Sequence, residues 1–199
     1  MILTITGASA AGKTTLAAGI CRSRNDASLL GSVTTRAARA TDLPNEYACV
    51  SHTEFERYVL DDAFIWHIGV HGHRYGTLRS RIDETLDASE ISIAIITLDA
   101  LNILREHVRA SRQLVRIRSI HLLAAPDSEM RRRLEKRDCA PAEVARRIED
   151  CVRWDQEARA SGLPILFLDS AQPKEHVLDT ALGYLSAATG RCSIPPAGS

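Results

Sequence analysis

The first apolar run, Ile2 to Ile5, stops at Gly7, and from Lys13 onward Leu16, Ala17, Ile20 and Cys21 recur at helical spacing. This predicts a strand, a glycine loop and a helix, in that order. Leu29 to Thr34 predicts a second strand, followed by a loop rich in Arg, Ala, Asp and Pro up to Asn45, and Tyr47 to Val50 predicts a short third one. Ser51 and Glu54 have capping-box spacing and open a helix through Phe55 and Val59 that ends near Asp61 and Asp62. Phe64 to Val70 predicts a strand, His71-Gly72-His73 the turn after it, and Arg79 to Leu86 a helix. Ile91 to Leu98 is a nearly continuous apolar run of the kind buried on both faces, ending in Asp99. Ile120 to Ala124 is a shorter version, broken by His121. Asp127 can cap a helix through Arg137, Pro141 can sit in the first turn of another reaching about Ala158, and Ile165 to Leu168 supplies a last strand. Strands alternating with helices predict an α/β fold, with a mostly parallel sheet covered by helices on both faces.

Composition narrows the partners. With 199 residues, one domain over residues 1–189 is expected, and the Pro- and Gly-containing tail 190–199 is expected to be disordered. Lys plus Arg and Asp plus Glu each number 25, so overall charge gives no reason to expect nucleic acid or an anionic membrane as partner. No apolar run approaches the roughly 20 residues a spanning helix needs, and no basic leader precedes the first strand. The five cysteines are scattered and odd in number, which argues against a disulfide framework and for reduced thiols in the cytoplasm.

The chemistry starts at Gly7-Ala8-Ser9-Ala10-Ala11-Gly12-Lys13-Thr14, which matches GxxxxGK[ST] at every fixed position and lies between a predicted strand and a predicted helix. In such a P-loop, glycines let successive backbone N–H groups of Gly7, Ser9, Ala10, Ala11, Gly12 and Lys13 turn inward on phosphate oxygens. The helix through Thr14 and Thr15 adds its positive end. Lys13 would reach the β and γ phosphates of ATP, and the Thr14 hydroxyl would ligate Mg²⁺. Asp99 is either a second metal-holding group, acting through water, or the N-cap of a helix through Leu101 and Ile103.

A kinase with an anionic acceptor needs arginines at a second site, because their forked donors match phosphate oxygens. Ser32-Val33-Thr34-Thr35-Arg36-Ala37-Ala38-Arg39 supplies two. With Tyr47 and the Tyr75-Gly76-Thr77 segment, this order of motifs resembles the guanylate kinase family, from Ile2 to about Leu185. The resemblance implies a P-loop kinase fold with an acceptor-binding flap at about residues 31–78 and a lid at about 131–153. It implies transfer of the γ-phosphoryl group of ATP·Mg²⁺ to a phosphate-bearing small molecule held by Ser32, Arg36, Arg39, Tyr47, Tyr75, Thr77 and Asp99. Arg133-Leu134-Glu135-Lys136-Arg137 resembles the family's lid segment and Arg146-Arg147 its basic pair, which makes Arg137 and Arg147 the candidates for clamping the transferring group alongside Lys13.

Two departures stand out. Where the family carries a guanine-reading glutamate, this chain has Phe64-Ile65-Trp66-His67. Trp66 cannot accept those hydrogen bonds, and leaving the guanine donors unpaired would cost roughly 1 to 3 kcal/mol each. Weak turnover of GMP is therefore expected. Val70-His71-Gly72-His73-Arg74-Tyr75-Gly76 is also similar to the ribose 1,5-bisphosphate kinase branch, whose acceptor has no base. A nucleoside monophosphate kinase with an altered base pocket, a sugar phosphate kinase and a non-catalytic binding module thus remain distinct readings. Trp66 can stack on a base or fill the core, and indoles are usually core residues. His67, His71 and His73 lack the partners of a metal site and read as strand and turn residues.

Overall fold

A computed structural model describes residues 1–40, 42–70, 72–87, 90–110, 113–136 and 140–189. The tail 190–199, Arg137, Cys139 and His71 lie outside the described residues. Five strands form the main sheet: β1 (Ile2–Gly7), β2 (Ala27–Leu29), β7 (Ile91–Ile95), β8 (Ile117–Leu123) and β9 (Leu166–Asp169). Their order is β2-β7-β1-β8-β9, and every pairing is parallel. Four strands form a smaller sheet in the order β4-β3-β6-β5: β3 (Ser32–Thr34), β4 (Tyr47–Cys49), β5 (Phe64–Val70) and β6 (His73–Leu78). Here β3 and β4 run parallel while the other pairs are antiparallel.

Side-chain alternation along β1 divides the core. Leu3 and Ile5 pack with Leu16, Ala17 and Ile20 of α1 (Lys13–Ser23), with Met130 and Leu134 of α5 (Asp127–Glu135), with Val144 and Ile148 of α6 (Pro141–Ala160), and with Val177, Ala181 and Leu185 of α7 (Lys174–Thr189). Ile2 belongs to the other face, with Ile82 and Leu86 of α3 (Arg79–Asp87) and with Leu101, Leu104 and Val108 of α4 (Leu98–Ala110). Helices therefore cover both faces, as the alternating pattern predicts. The remaining helix, α2 (His52–Leu60), starts as its sequence dictates: the Ser51 hydroxyl accepts from the Glu54 N–H at 3.1 Å. Among the described residues, no helix is long and apolar enough to cross a membrane.

Several boundaries differ from expectation, each for a physical reason. The run Leu29 to Thr34 is two strands in different sheets. After Leu29 the chain leaves the main sheet at Leu30-Gly31, where a Cβ on residue 31 would lie 2.6 Å from the Asn45 carbonyl oxygen. Ile91 to Leu98 stops being a strand at Ile95, because Thr97 starts α4: its hydroxyl accepts from the Ala100 N–H at 3.3 Å and its carbonyl from Leu101 at 3.1 Å. The N-cap is thus Thr97, and Asp99 sits inside the first turn, which closes the capping alternative for Asp99. Asp127 likewise does not cap α5, since Pro126 takes that position and Asp127 is the first helical residue. Pro141 does occupy the first turn of α6. Strand β6 and helix α7 were not anticipated.

Candidate active site

The GxxxxGK[ST] segment joins β1 to α1 and turns through three positive φ values, Gly7 at 132°, Ala10 at 62° and Gly12 at 97°. Gly7 is required twice over, since a Cβ there would fall 2.4 Å from the Leu122 carbonyl oxygen of the neighbouring strand. Ala10 is an L-residue in the left-handed region, a strain of roughly 1 kcal/mol stored in the loop. The first-turn N–H groups of α1 have no acceptor within their own helix, and no acidic side chain occupies that turn, so the end is set up for an anion. Lys13 Nζ folds back and donates to the carbonyls of Gly7 at 2.8 Å and Ala8 at 2.7 Å.

This loop separates two cavities. On one side, Gly7, Ser9 and Lys13 help to wall a space of about 520 Å³ that extends to the smaller sheet and to α6. On the other, Ala10, Ala11, Gly12 and Thr15 help to wall a space of about 460 Å³ bounded by Arg132, Arg133 and the start of α7. A Cβ at Gly12 would meet no atom within 4 Å. Thr14, half-buried in the first turn of α1, contributes to neither wall.

The smaller sheet supplies the far side of the larger cavity. Ser32, Tyr47 and Tyr75 line it, as does Asp99 from α4. Thr77 is buried directly behind Ser32, with the two hydroxyls 3.3 Å apart. The Tyr47 and Tyr75 rings meet edge to face with centroids 5.9 Å apart. Burial, reinforced by Glu46 and Tyr75, pushes the Tyr47 phenol up to about 12, so it remains a hydrogen-bond donor. The tandem threonines anchor the arginine segment: Thr34 Oγ1 donates to the Arg74 carbonyl at 2.9 Å and accepts from the Arg36 N–H at 3.1 Å, while Thr35 Oγ1 accepts from the Arg74 N–H at 2.9 Å.

Arg36 itself does not line the cavity. It is 5 % exposed, its guanidinium donates to Asp42 at 2.8 Å and to the Ala37 carbonyl at 2.8 Å, and its Cζ lies 4.9 Å from the centre of the Tyr47 ring. Arg39 is exposed, and its backbone N–H donates to the other oxygen of Asp42 at 2.8 Å. Asp42, which sequence reasoning missed, therefore organises the whole arginine loop. Burial raises its pKa, but the Arg36 and Arg39 donors outweigh this and hold the carboxyl below its ordinary value.

From α5 and α6, arginines reach back to the loop. Arg147 Nη1 donates to the Ser9 hydroxyl at 3.0 Å while Nη2 pairs with Glu143 at 2.5 Å. Arg133 donates to the Ser170 carbonyl at 3.0 Å and to the Ala10 carbonyl at 3.4 Å, steadied by Glu129 at 2.7 Å. A second tie was also missed in the sequence. His121 on β8, 2 % exposed, bridges Thr6 and Asp155 at 2.9 Å each, and Asp155 accepts further from the Ala124 N–H at 2.9 Å. A carboxylate can only accept, so Nε2 carries the proton toward Asp155 and Nδ1 accepts from the Thr6 hydroxyl. A histidine breaking an apolar strand was the available signal. Cys151, buried in the core, donates to the Arg147 carbonyl at 2.8 Å, and burial pushes its thiol up to about 11, an inert filler. His67 lies in β5 and His73 opens β6.

The sequence and the fold resemble those of known proteins. A family model described as guanylate kinase matches residues 1–156. The guanylate kinase of Anaeromyxobacter dehalogenans is 34% identical over 148 residues, 74% of this chain and 63% of that protein. The guanylate kinase of Chlamydia abortus is 30% identical over 138 residues, 68% and 64% respectively. The matches thus span less than two thirds of these relatives' own lengths. Among solved structures, guanylate kinase from Anaplasma phagocytophilum aligns with a TM-score of 0.63 at 22% identity, covering 98% of this chain and 87% of that one. A sugar kinase from Janibacter sp. HTCC2649 aligns with a TM-score of 0.53 at 17% identity, covering 95% and 96%. At such identities the structural likenesses establish the fold alone, whereas the family match covers most of the sequence, phosphate loop and arginine segment included, and on that ground the chain belongs to the guanylate kinase family.

Proposed function

We propose that this protein is an ATP-dependent phosphotransferase that moves the γ-phosphoryl group to the phosphate of a small molecule, as a nucleoside monophosphate kinase does. The observation that carries this reading is the phosphate loop standing as the common wall of two cavities, of about 520 and 460 Å³. A donor nucleotide with its phosphates on Gly7 to Thr15 has room for its nucleoside beside Arg132 and Arg133, and an acceptor fits opposite, between the smaller sheet and α6. Family membership and relatives that are themselves guanylate kinases support the same reading.

In this scheme Lys13 exchanges its contacts with the Gly7 and Ala8 carbonyls for phosphate oxygens. Tyr47, Tyr75 and Ser32 orient the acceptor, and Arg36 and Arg39 neutralise its phosphate once Arg36 is drawn from Asp42. Arg147, already at Ser9, clamps the transferring group, a role the family resemblance also gives to Arg137, which lies outside the described residues. Magnesium, when bound, would neutralise charge building up on that group, and the Thr14 hydroxyl with the Asp99 carboxylate would hold it. Positioning and charge neutralisation supply most of the rate in such a transfer, so no covalent intermediate is needed.

The test is ATP consumption with GMP, dGMP, AMP and ribose 1,5-bisphosphate as acceptors. Acceptor-dependent turnover is the expected result, with GMP used only weakly. ATP hydrolysis that ignores every acceptor would point to a hydrolase, and no Mg·ATP binding by calorimetry would point to a binding module.

A further inference from the structure

The chain has two tryptophans, Trp66 and Trp154, and both contribute to the wall of the larger cavity. They come from different elements, Trp66 from β5 in the smaller sheet and Trp154 from α6. Trp66 is 8 % exposed and packs into the core beside α3 and α4, so its indole is a fixed surface. Trp154 is 36 % exposed and belongs to none of the described core clusters. A large amphipathic ring is thus held at a cavity wall, two turns from Arg147 on the same helix and outside the described core clusters.

Its placement is fixed by its neighbour. Asp155 uses both carboxylate oxygens on buried partners, His121 Nε2 and the Ala124 N–H, each at 2.9 Å, so the turn that carries Trp154 is pinned to the sheet. Elsewhere the cavity wall includes the apolar side chains of Ile68, Ile95, Ile96 and Leu98. Such a wall receives a flat, weakly polar body better than a polyhydroxylated one.

Building on the phosphotransferase reading, we propose that Trp154 is a specificity-determining residue whose indole stacks on a planar ring of the acceptor. The acceptor class is then nucleoside monophosphates in preference to sugar phosphates, with weak discrimination between bases, because every base offers a π-face.

Having no other tryptophans, the intact chain reports directly on this cavity through its own emission. GMP, AMP and ribose 5-phosphate are titrated against it, and acceptor and ATP kinetics are measured on the wild type, Trp154→Leu and Trp154→Phe. GMP and AMP should both quench emission with affinities within about tenfold of each other, and ribose 5-phosphate should not. Trp154→Leu should lose most of the quench and raise the acceptor KM by about 10-fold or more, with the ATP KM nearly unmoved, and Trp154→Phe should recover most of the acceptor affinity. The inference is overturned if Trp154→Leu, correctly folded by circular dichroism, turns over the same acceptor with the wild-type KM, or if ribose 5-phosphate quenches as GMP does. A wild-type protein that phosphorylates none of the acceptors is a different failure, because it removes the phosphotransferase reading itself.

Discussion

Arg147 reaches from α6 to the Ser9 hydroxyl at 3.0 Å, a contact between residues 138 positions apart that ties the second half of the chain to the phosphate loop. Arg147→Ala should lower turnover by roughly 10³-fold, the scale on which an arginine stabilises a transferring phosphoryl group. Stability should fall by under about 1 kcal/mol, since its ion pair with Glu143 is a partly exposed helical one. Steady-state kinetics beside thermal denaturation separate the two effects. Arg147→Lys should restore little, because an ammonium lacks the fork that serves Ser9 and Glu143 together.

Lys13→Ala removes donors to the Gly7 and Ala8 carbonyls. Net hydrogen bonds are worth about 1 kcal/mol each, so the midpoint of unfolding should drop only modestly. Turnover should be abolished. Normal activity in this variant would eliminate the role proposed for the lysine.

Arg36→Ala should raise the acceptor KM by about 10-fold or more and the ATP KM far less, as a residue confined to one of two sites must. Equal losses for both substrates would contradict the two-site arrangement. Asp42 gives the same loop a pH dependence. Its native pKa lies below the ordinary 3.8, so its stabilisation is complete above that value and disappears as pH falls through the lower native one. Asp42→Asn should therefore cost about 1 kcal/mol at pH 7, a difference that narrows in urea denaturation as pH falls below 3.8.

His121 titrates in the opposite sense from a histidine stabilised by its partner. Burial lowers its pKa from 6.5, Asp155 opposes this, and Lys13 and Arg159 add to the lowering. Below pH 6.5 the unfolded chain takes up a proton that the native state resists, so stability should be flat above that pH and decline beneath it. Urea midpoints at pH 7.5 and 5.5 measure the slope, and His121→Gln should flatten it. An unchanged slope in that variant would assign it to other groups.

Gly7→Ala would force a Cβ to within 2.4 Å of the Leu122 carbonyl oxygen at a φ of 132°. Two adjoining strands must part to admit it, so a loss of roughly 2 to 4 kcal/mol is expected, read as a lower unfolding midpoint.

What could be read in the sequence was what depends on neighbours along the chain. The phosphate loop, the Ser51 cap and Pro141 at the start of α6 are local and sit where their spacing puts them. The smaller sheet was legible only in part. Strand β6 carries Arg74, Gly76 and Thr77, and what makes it a strand is pairing with β3 and β5 rather than any apolar alternation of its own. Helix α7 did leave a trace in Val177, Ala181 and Leu185, spaced four apart and packed on the core with Leu178 against Gly19. Of the proposed site, Ser32, Tyr47, Tyr75 and Asp99 line one cavity, while Arg36 turns away to Asp42. The groups that hold the site in shape escaped notice, because Asp42 shows its importance only through its grip on Arg36, and Asp155 only through a histidine 34 residues away.

The loop shared by the two cavities has a thermodynamic corollary. Any change in its conformation caused by filling one side is felt on the other, and linkage makes that influence symmetric. If the nucleotide sharpens affinity for its co-substrate by some factor, the co-substrate must sharpen affinity for the nucleotide by that same factor. Binding constants measured for either alone will therefore understate, or overstate, both by one common ratio.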